Sequence, residues 1–219
     1  MNTIIVIDRQ FGSGGREIAQ RIAEKRQIPF YDRKLLERTA KESGFTETLV
    51  ETQDEKPGNS IIFGLIADTF TDMPIEQDIF YAQQETIRSI ARESKNGCVI
   101  VGRCADVALR RHTNLLSIFI HAPESFRMER VRQGKAGEDP AYQKLDDKKM
   151  LELLKKKDKE RWSYYDHYTQ QRWGQSKNYD LSINSGLLGI EKSADYILEI
   201  IDAFEADGGE KSWIDKRDS

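Results

Sequence analysis

Short apolar runs rich in β-branched residues alternate with segments of helical periodicity along most of this 219-residue chain. The apolar runs lie at 3–8, 98–102, 115–122 and 179–185. Helical spacing of apolar residues marks 16–27, 33–43, 75–94, 145–169 and 189–206. Strands that alternate with helices in this way form a parallel sheet covered on both faces, so we expect an α/β fold.

A glycine-rich loop joins the first apolar run to the first helical segment. The stretch "DRQFGSGGREIA" spans 8–19. Successive amides in such a turn and the positive end of the following helix attract an anion, and glycine lets the chain approach a phosphate closely. Ligands of open parallel sheets bind beyond the carboxyl ends of the strands, where this loop falls. The loop therefore predicts a phosphate-binding site; a tight turn without a ligand is the alternative.

The loop departs from the standard pattern G-x-x-x-x-G-K-[ST] in either of two registers. If Gly15 is the last glycine of the pattern, Arg16 occupies the lysine position and Glu17 the serine or threonine position. If Gly14 is the last glycine, Gly15 replaces the lysine, and in neither register is the first glycine present. Arg16 can supply the missing charge in planar, bidentate form. Without the hydroxyl, Mg²⁺ lacks its usual protein contact.

Composition argues against several classes of partner. The net charge is −3, from 34 basic and 37 acidic residues, so no overall field favours nucleic acid or an anionic membrane. No stretch approaches the ~20 apolar residues that span a bilayer, and the N-terminus lacks a signal-peptide pattern, so we predict a cytoplasmic protein. The two cysteines are expected to be reduced and buried. The three histidines lack metal-ligand spacing, so no metal ligand is assigned.

Three further stretches, taken with the loop, resemble the cytidylate kinase-like family of the P-loop nucleoside monophosphate kinase superfamily. They are "IPFYDRKLLERTAKESG", "VIVGRCADVAL" and "KNYDLSINSGLLGIE", the last preceded by "KKKDKERWSYYDHYT". The resemblance runs from about residue 3 to residue 203 and is weaker to true cytidylate kinases. It implies a three-layer P-loop NTPase fold with a five-stranded parallel sheet, helices on both faces, and a fifth strand from the step at 28–32.

The same resemblance implies how the chain is divided. A single kinase domain would span 1–206, with a flexible tail at 207–219. Within the domain, 33–95 would form a helical segment that binds or covers the acceptor, and 133–175 would form the lid region. Residues 45–75 carry no clear periodicity of their own, so we expect a mobile segment or a cover over the site there.

The resemblance also assigns residues to the two substrates. Arg103, in the Gly-Arg pair of "VGRC", matches an arginine that holds the acceptor phosphate, and Arg38 is a looser match to a second. Asp32 and Asn184 fall on the acceptor side. Asn184 stands where true cytidylate kinases carry the aspartate that reads cytosine, which leaves the base preference open. The ATP phosphates would lie on Gly12, Ser13, Gly14, Gly15, Arg16 and Glu17.

Catalysis would come from arginines that surround the moving phosphoryl group. Arg161 of "DKER" matches a lid arginine, and Arg130 belongs to an arginine pair with Arg127 just before the lid. Arg16 would act from the loop. Phosphoryl transfer needs in-line positioning and positive charge more than covalent help from the protein, so arginines on a sheet edge and a lid suit it.

The implied activity is transfer of the γ-phosphoryl group of ATP, with Mg²⁺, to a nucleoside monophosphate, with CMP or dCMP as the first expectation. Two alternatives stay open. One is a kinase for another small-molecule acceptor, and the other is a nucleotide-binding regulatory module with little catalysis, which the missing lysine and hydroxyl favour. The aromatic-rich stretch 162–173 and the helix at 75–94 offer faces for a homodimer.

Overall fold

A computed structural model describes residues 3–52, 75–136 and 139–211. Its centre is a parallel sheet of five strands in the order β2-β3-β1-β4-β5. The predicted α/β fold with a five-stranded parallel sheet is confirmed. The strands are β1 (Ile4–Arg9), β2 (Phe30–Tyr31), β3 (Cys98–Val101), β4 (Leu115–His121) and β5 (Leu181–Asn184).

Helices connect the strands and cover the sheet. Short 3₁₀ turns lie at Pro140–Lys144 and Ser176–Asn178. The α-helices are α1 (Gly15–Arg26), α2 (Arg33–Ser43), α3 (Glu47–Thr52), α4 (Ile75–Glu93), α5 (Ala105–Ala108), α6 (Glu124–Arg132), α7 (Asp147–Thr169), α8 (Ser185–Leu188) and α9 (Ile190–Ala206).

The three layers follow from the period-two alternation of the strands. On β1, Ile5 and Ile7 pack with the apolar stripes of α1 and α9, whereas Ile4 and Val6 pack with α2 and α4 on the other face. β1 lies between β3 and β4 and all six of its residues are buried, which explains the continuous apolar run Ile4–Ile7 before the charged Asp8 and Arg9. Parallel strands end at one edge, so the segments after β1, β3 and β4 meet there and form the walls of a single site.

The element boundaries differ from the sequence expectations in a few places. The step at 28–32 yields a strand of only two residues, and the expected loop at 133–143 contains the start of a 3₁₀ turn. The first part of the expected tail is packed: Lys211 N donates to Thr113 O (2.8 Å), and its ammonium pairs with Asp180 (2.6 Å). The rest of that tail, at 212–219, and most of the expected cover, at 53–74, lie outside the described residues.

Two further expectations concern the chain as a whole. Cys98 and Cys104 are both buried, as predicted, and burial raises the pKa of the Cys98 thiol to about 11. None of the helices in the described ranges has both the length and the apolar character needed to cross a bilayer.

Candidate functional site

The glycine-rich loop has the alternating backbone conformation that makes an anion-binding nest. Gly12 (φ 79°) and Gly14 (φ 82°) are left-handed, whereas Ser13 and Gly15 between and after them are not. Alternation of this kind turns successive amides toward one point. A left-handed residue with a side chain is strained, so glycine is needed at both positions.

Hydrogen bonds from behind hold the loop in this shape. Ser13 is completely buried, and its Oγ donates to Gln10 O (2.8 Å) and accepts from Gly15 N (3.4 Å). Ser185 Oγ donates to Ser13 O (2.6 Å). Among the described residues, no group accepts a hydrogen bond from the amides of Arg16 or Glu17, which open the first turn of α1. The loop therefore presents unpartnered donors at a helix N-terminus, where a phosphate would bind.

The start of α1 resolves the register of the loop. Gly14 is the left-handed N-cap, and α1 begins at Gly15, so Gly14 takes the place of the last glycine in the standard pattern. Gly15 then stands at the lysine position, and Arg16 follows it. A Cβ on Gly15 would lie 2.5 Å from Arg9 Cβ, and one on Gly14 would lie 2.2 Å from Ile190 Cδ1, so neither glycine has room for a side chain.

A cleft of about 710 Å³ opens above the loop, beyond the carboxyl ends of β1 and β3. Residues 134–136, Asp139 and Tyr142, with residues of α7, form its far wall. Basic side chains predominate over the acidic Glu17, Asp32 and Asp139, which gives the cleft the charge that a polyphosphate requires. The basic residues that line it are Arg9, Arg16, Arg33, Arg103, Arg130, Lys135, Lys157 and Arg161.

Asp32 joins two of the predicted arginines. Arg16 Nε donates to one carboxylate oxygen (2.5 Å), and Arg103 Nη1 donates to the other (3.2 Å) and to Val101 O (3.0 Å). Burial acts to raise the pKa of Asp32, but the charges of Arg103, Arg9 and Arg16 outweigh it and lower the pKa. The ionised carboxylate therefore fixes one guanidinium from the loop helix and one from the end of β3 in the same cleft.

Two further arginines connect the loop to α6 and α7. Arg130 donates to Glu17 (2.8 Å) and to Lys135 O (3.3 Å), and its Nε is buried without a hydrogen-bond partner in the described structure. Arg161 Nη1 donates to Arg9 O (3.0 Å), and its guanidinium lies 6.0 Å from the centre of the Phe11 ring. Arg130 and Arg161 thus line the cleft together with Arg16, the third predicted catalytic arginine.

A buried polar cluster lies around Asp8, near the end of β1, and was not predicted from the sequence. Asp8 accepts hydrogen bonds from Trp173 Nε1 (2.6 Å) and Tyr179 (3.0 Å), and Tyr165 donates to Asp106 (2.7 Å). Burial, with the nearby Asp8 charge, raises the pKa of Asp106 to about 7. Pairing partners from distant parts of the chain leave no local sequence signal for such a cluster.

Two of the predicted acceptor residues are not brought to the cleft. Arg38 points along the surface of α2, where it bonds Glu42 (2.6 Å), Ser89 (3.1 Å) and Glu93 (2.8 Å). Asn184 caps α8 by accepting from Gly186 N (3.1 Å). Neither residue lines the cleft. The position of Arg38 on α2 directs its side chain toward α4, and the side chain of Asn184 is used to cap α8.

The acidic residues of the cleft do not form a ready metal site. In the described parts of the chain, no three histidine, cysteine, aspartate or glutamate side chains are grouped to hold a metal ion. Glu17 and Asp32 are each paired with arginine. Any divalent ion in the cleft would therefore depend on phosphate oxygens for most of its shell, as Mg²⁺ commonly does.

Similarity to known proteins shows the family to which the chain belongs. Residues 4–187 match the model of the family described as the cytidylate kinase-like family. An uncharacterized protein from Eubacterium ventriosum is 31% identical and superposes with a TM-score of 0.67, covering 92% of this chain and 99% of its own. A shikimate kinase from Bacteroides thetaiotaomicron, 15% identical, superposes with a TM-score of 0.56 over 91% and 98% of the two chains, which shows the shared fold. No curated protein matches the sequence.

Proposed function

Because the chain belongs to the cytidylate kinase-like family, we propose that it transfers the γ-phosphoryl group of ATP to a nucleoside monophosphate, with CMP or dCMP as the first acceptors to test. Family and kinase fold together support phosphoryl transfer. The observation that carries the proposal is the glycine nest with unpartnered amides, in a cleft walled by arginines from separate segments.

The donor side of the proposal rests on the loop. The amides of Gly12, Gly14, Arg16 and Glu17 at the N-terminus of α1 would hold the ATP phosphates, and the basic side chains of the cleft would offset their charge. Bound Mg²⁺ would neutralise charge between the β- and γ-phosphates. Because Glu17 and Asp32 are each paired with arginine, phosphate oxygens and water would supply most of its ligands.

The acceptor side of the proposal rests on Arg103. Its guanidinium is almost fully buried, is fixed by Asp32 and Val101 O, and lines the cleft from the end of β3. A fixed guanidinium binds a phosphate in a defined orientation and loses little entropy in doing so. Arg103 would therefore place the acceptor phosphate for in-line attack, with Asp32 as the group that holds Arg103 in place.

Arg161 and Arg130 would stabilise the charge that develops on the transferred group. Arg161 lies on α7, within the proposed lid region at 133–175, and Arg130 lies on α6 just before it; both line the cleft. A closing movement of the far wall would bring the guanidinium groups onto the phosphoryl group and exclude water, which suppresses hydrolysis of ATP.

A kinase with a different acceptor is the second candidate, and it has an observation in its favour. Arg38 and Asn184, assigned to the acceptor through the resemblance, lie away from the cleft. A third candidate, a regulatory module that binds nucleotide with little catalysis, is favoured by glycine at the lysine position.

If the kinase forms a homodimer, the proposed interface is the surfaces of α4 and α7, where Tyr81 and Trp162 are exposed.

The test is release of ADP from ATP and Mg²⁺ with CMP, dCMP, UMP, AMP and GMP as separate acceptors. We expect release that depends on CMP or dCMP and that falls at least about 100-fold in Arg103→Met. Arg88→Met, on the surface of α4, is the matched control and should equal wild type. ATP binding without release for any nucleotide would reject the nucleoside monophosphate acceptor; a panel of phosphorylatable metabolites then separates the second candidate from the third.

A further inference from the structure

Compared with the standard phosphate loop, this loop has a long side chain where the first glycine is expected and a glycine where the lysine is expected. With Gly14 as the last glycine, the register places Gly15 at the lysine position and Arg9 at the position of the first glycine. The standard pattern has a long cationic side chain at the later position and none at the earlier one. This chain has the reverse.

The two positions face each other in space. A Cβ on Gly15 would lie 2.5 Å from Arg9 Cβ, closer than non-bonded carbon atoms approach, and in tight contact with Arg9 Cγ at 3.2 Å. Only one of the two residues can therefore carry a side chain. The side chain of Arg9 begins almost where a lysine side chain at position 15 would begin, which makes the two exchanges compensating changes.

The side chain of Arg9 also lies at the cleft where the phosphates would bind. Its side chain is about nine-tenths buried, yet it lines the cleft together with the loop. Asp8 lies 3.8 Å from its guanidinium, and the positive charge of Arg9 helps to lower the pKa of Asp32, which lines the same cleft. Arg161 donates to its backbone carbonyl, so the residue is connected to the far wall as well.

We infer that Arg9 replaces the lysine of the standard loop and contacts the β- and γ-phosphates of the bound nucleotide. This inference rests on the proposed function in so far as the ligand is a nucleotide phosphate. Arg16, the loop cation expected from the sequence, is directed to Asp32 and its side chain is 57% exposed. The cation of the loop thus comes from the last residue of β1.

Exchange of the two side chains tests the inference. Binding of MgADP and MgATP is measured by calorimetry on the full chain for wild type, Arg9→Met, Arg9→Lys, Gly15→Lys and the double variant Arg9→Gly/Gly15→Lys. Arg88→Met is the control for loss of a surface guanidinium. Thermal unfolding of each variant separates loss of binding from loss of fold.

Arg9→Met is expected to weaken nucleotide binding by roughly 10- to 100-fold, the usual range for a lost charge-assisted hydrogen bond, and Arg9→Lys by less than about tenfold. Gly15→Lys alone should lose binding because its Cβ collides with Arg9. The double variant restores the standard arrangement and should recover binding to within about tenfold of wild type. If Arg9→Met does not fold, the double variant decides.

Several results overturn the inference. They are a folded Arg9→Met chain that binds nucleotide as wild type does, Gly15→Lys alone with wild-type binding, and a double variant that fails to fold or to bind. A wild-type chain that binds neither nucleotide contradicts the proposed function instead, so failures of the two proposals are distinguishable.

Discussion

At the carboxyl end of β3, the backbone turns through three successive left-handed residues, Gly102 (φ 70°), Arg103 (φ 58°) and Cys104 (φ 55°). Left-handed angles are unfavourable for arginine and cysteine, so the surrounding contacts must hold them. The turn brings the Arg103 guanidinium back beneath Val101 O and onto Asp32. The strained backbone and the buried ion pair together define one wall of the cleft.

The role proposed for Arg161 predicts a loss in rate with little loss in binding. Its guanidinium lies against the Phe11 ring and Arg9 O on the far wall, where it would stabilise transferred charge. Arg161→Met should lower kcat by about 10³-fold and change the Kd of MgADP less than about threefold. Lys159→Met, exposed on the same helix, is the control and should leave kcat unchanged. An equal fall in affinity and kcat would contradict the role.

Asp106 predicts a pH dependence of stability. Burial raises its pKa to about 7 in the folded chain, whereas an unfolded aspartate titrates near 3.8, so the folded state holds a proton that the unfolded state releases. The free energy of unfolding should therefore fall as the pH rises from about 4 to 7 and level off above.

Substitution of Asp106 by Asn isolates that effect. The amide oxygen can still accept the Tyr165 hydrogen bond, but the group no longer titrates. Relative to wild type, Asp106→Asn should gain roughly 2–3 kcal/mol in the free energy of unfolding between pH 5 and pH 8, as measured by urea titration. A difference between the two proteins that does not change with pH would show that Asp106 is ionised throughout.

At the scale of elements, the loop and the turn after α2 offer a matched pair of left-handed glycines. Gly14 (φ 82°) lies beside Ile190 and Arg130, whereas Gly44 (φ 78°) caps α2, and a Cβ added there would meet no atom within 4 Å. Alanine should cost about 1 kcal/mol of stability at Gly44 from backbone strain alone. At Gly14 it should also displace the loop amides and weaken MgADP binding at least about tenfold.

Differential scanning calorimetry and calorimetric binding separate the two effects. Gly44→Ala is expected to bind MgADP as wild type does. If Gly14→Ala lowers the melting temperature like Gly44→Ala but leaves binding unchanged, the loop amides are not the phosphate site.

The secondary-structure elements can be predicted from the sequence more surely than the residues of the site. The run at 3–8 predicts a buried strand because its β-branched residues on both faces need helices on both sides, and the helical spacing at 33–43 predicts α2. The sequence predicts the helix that carries Arg38 but not the direction of its side chain, because that direction depends on how α2 packs against α4. Arg9 is missed because its facing partner, Gly15, is set by the fold of the loop.

At the scale of the whole molecule, the cleft lies between the sheet edge and a wall that aromatic contacts attach to the rest of the chain. Phe80 of α4 stacks on Tyr168 of α7 with ring centres 4.0 Å apart, and Asp158 of α7 accepts from Phe11 N (2.7 Å) and from Arg127 (2.5 Å). These contacts fix α7, while residues 134–136, Asp139 and Tyr142 form the rim of the cleft. In the proposed reaction, movement of that rim would close the cleft over the substrates.

The most direct test of the account is the fate of the γ-phosphoryl group. The purified chain is incubated with Mg²⁺, ATP labelled with ³²P in the γ-position, and CMP, and the products are separated. If the chain transfers the γ-phosphoryl group to CMP, label is found in the β-phosphate of CDP. It is absent without CMP and strongly reduced in Arg103→Met. Label found only in ATP and inorganic phosphate, with every nucleoside monophosphate supplied in turn, would contradict the account.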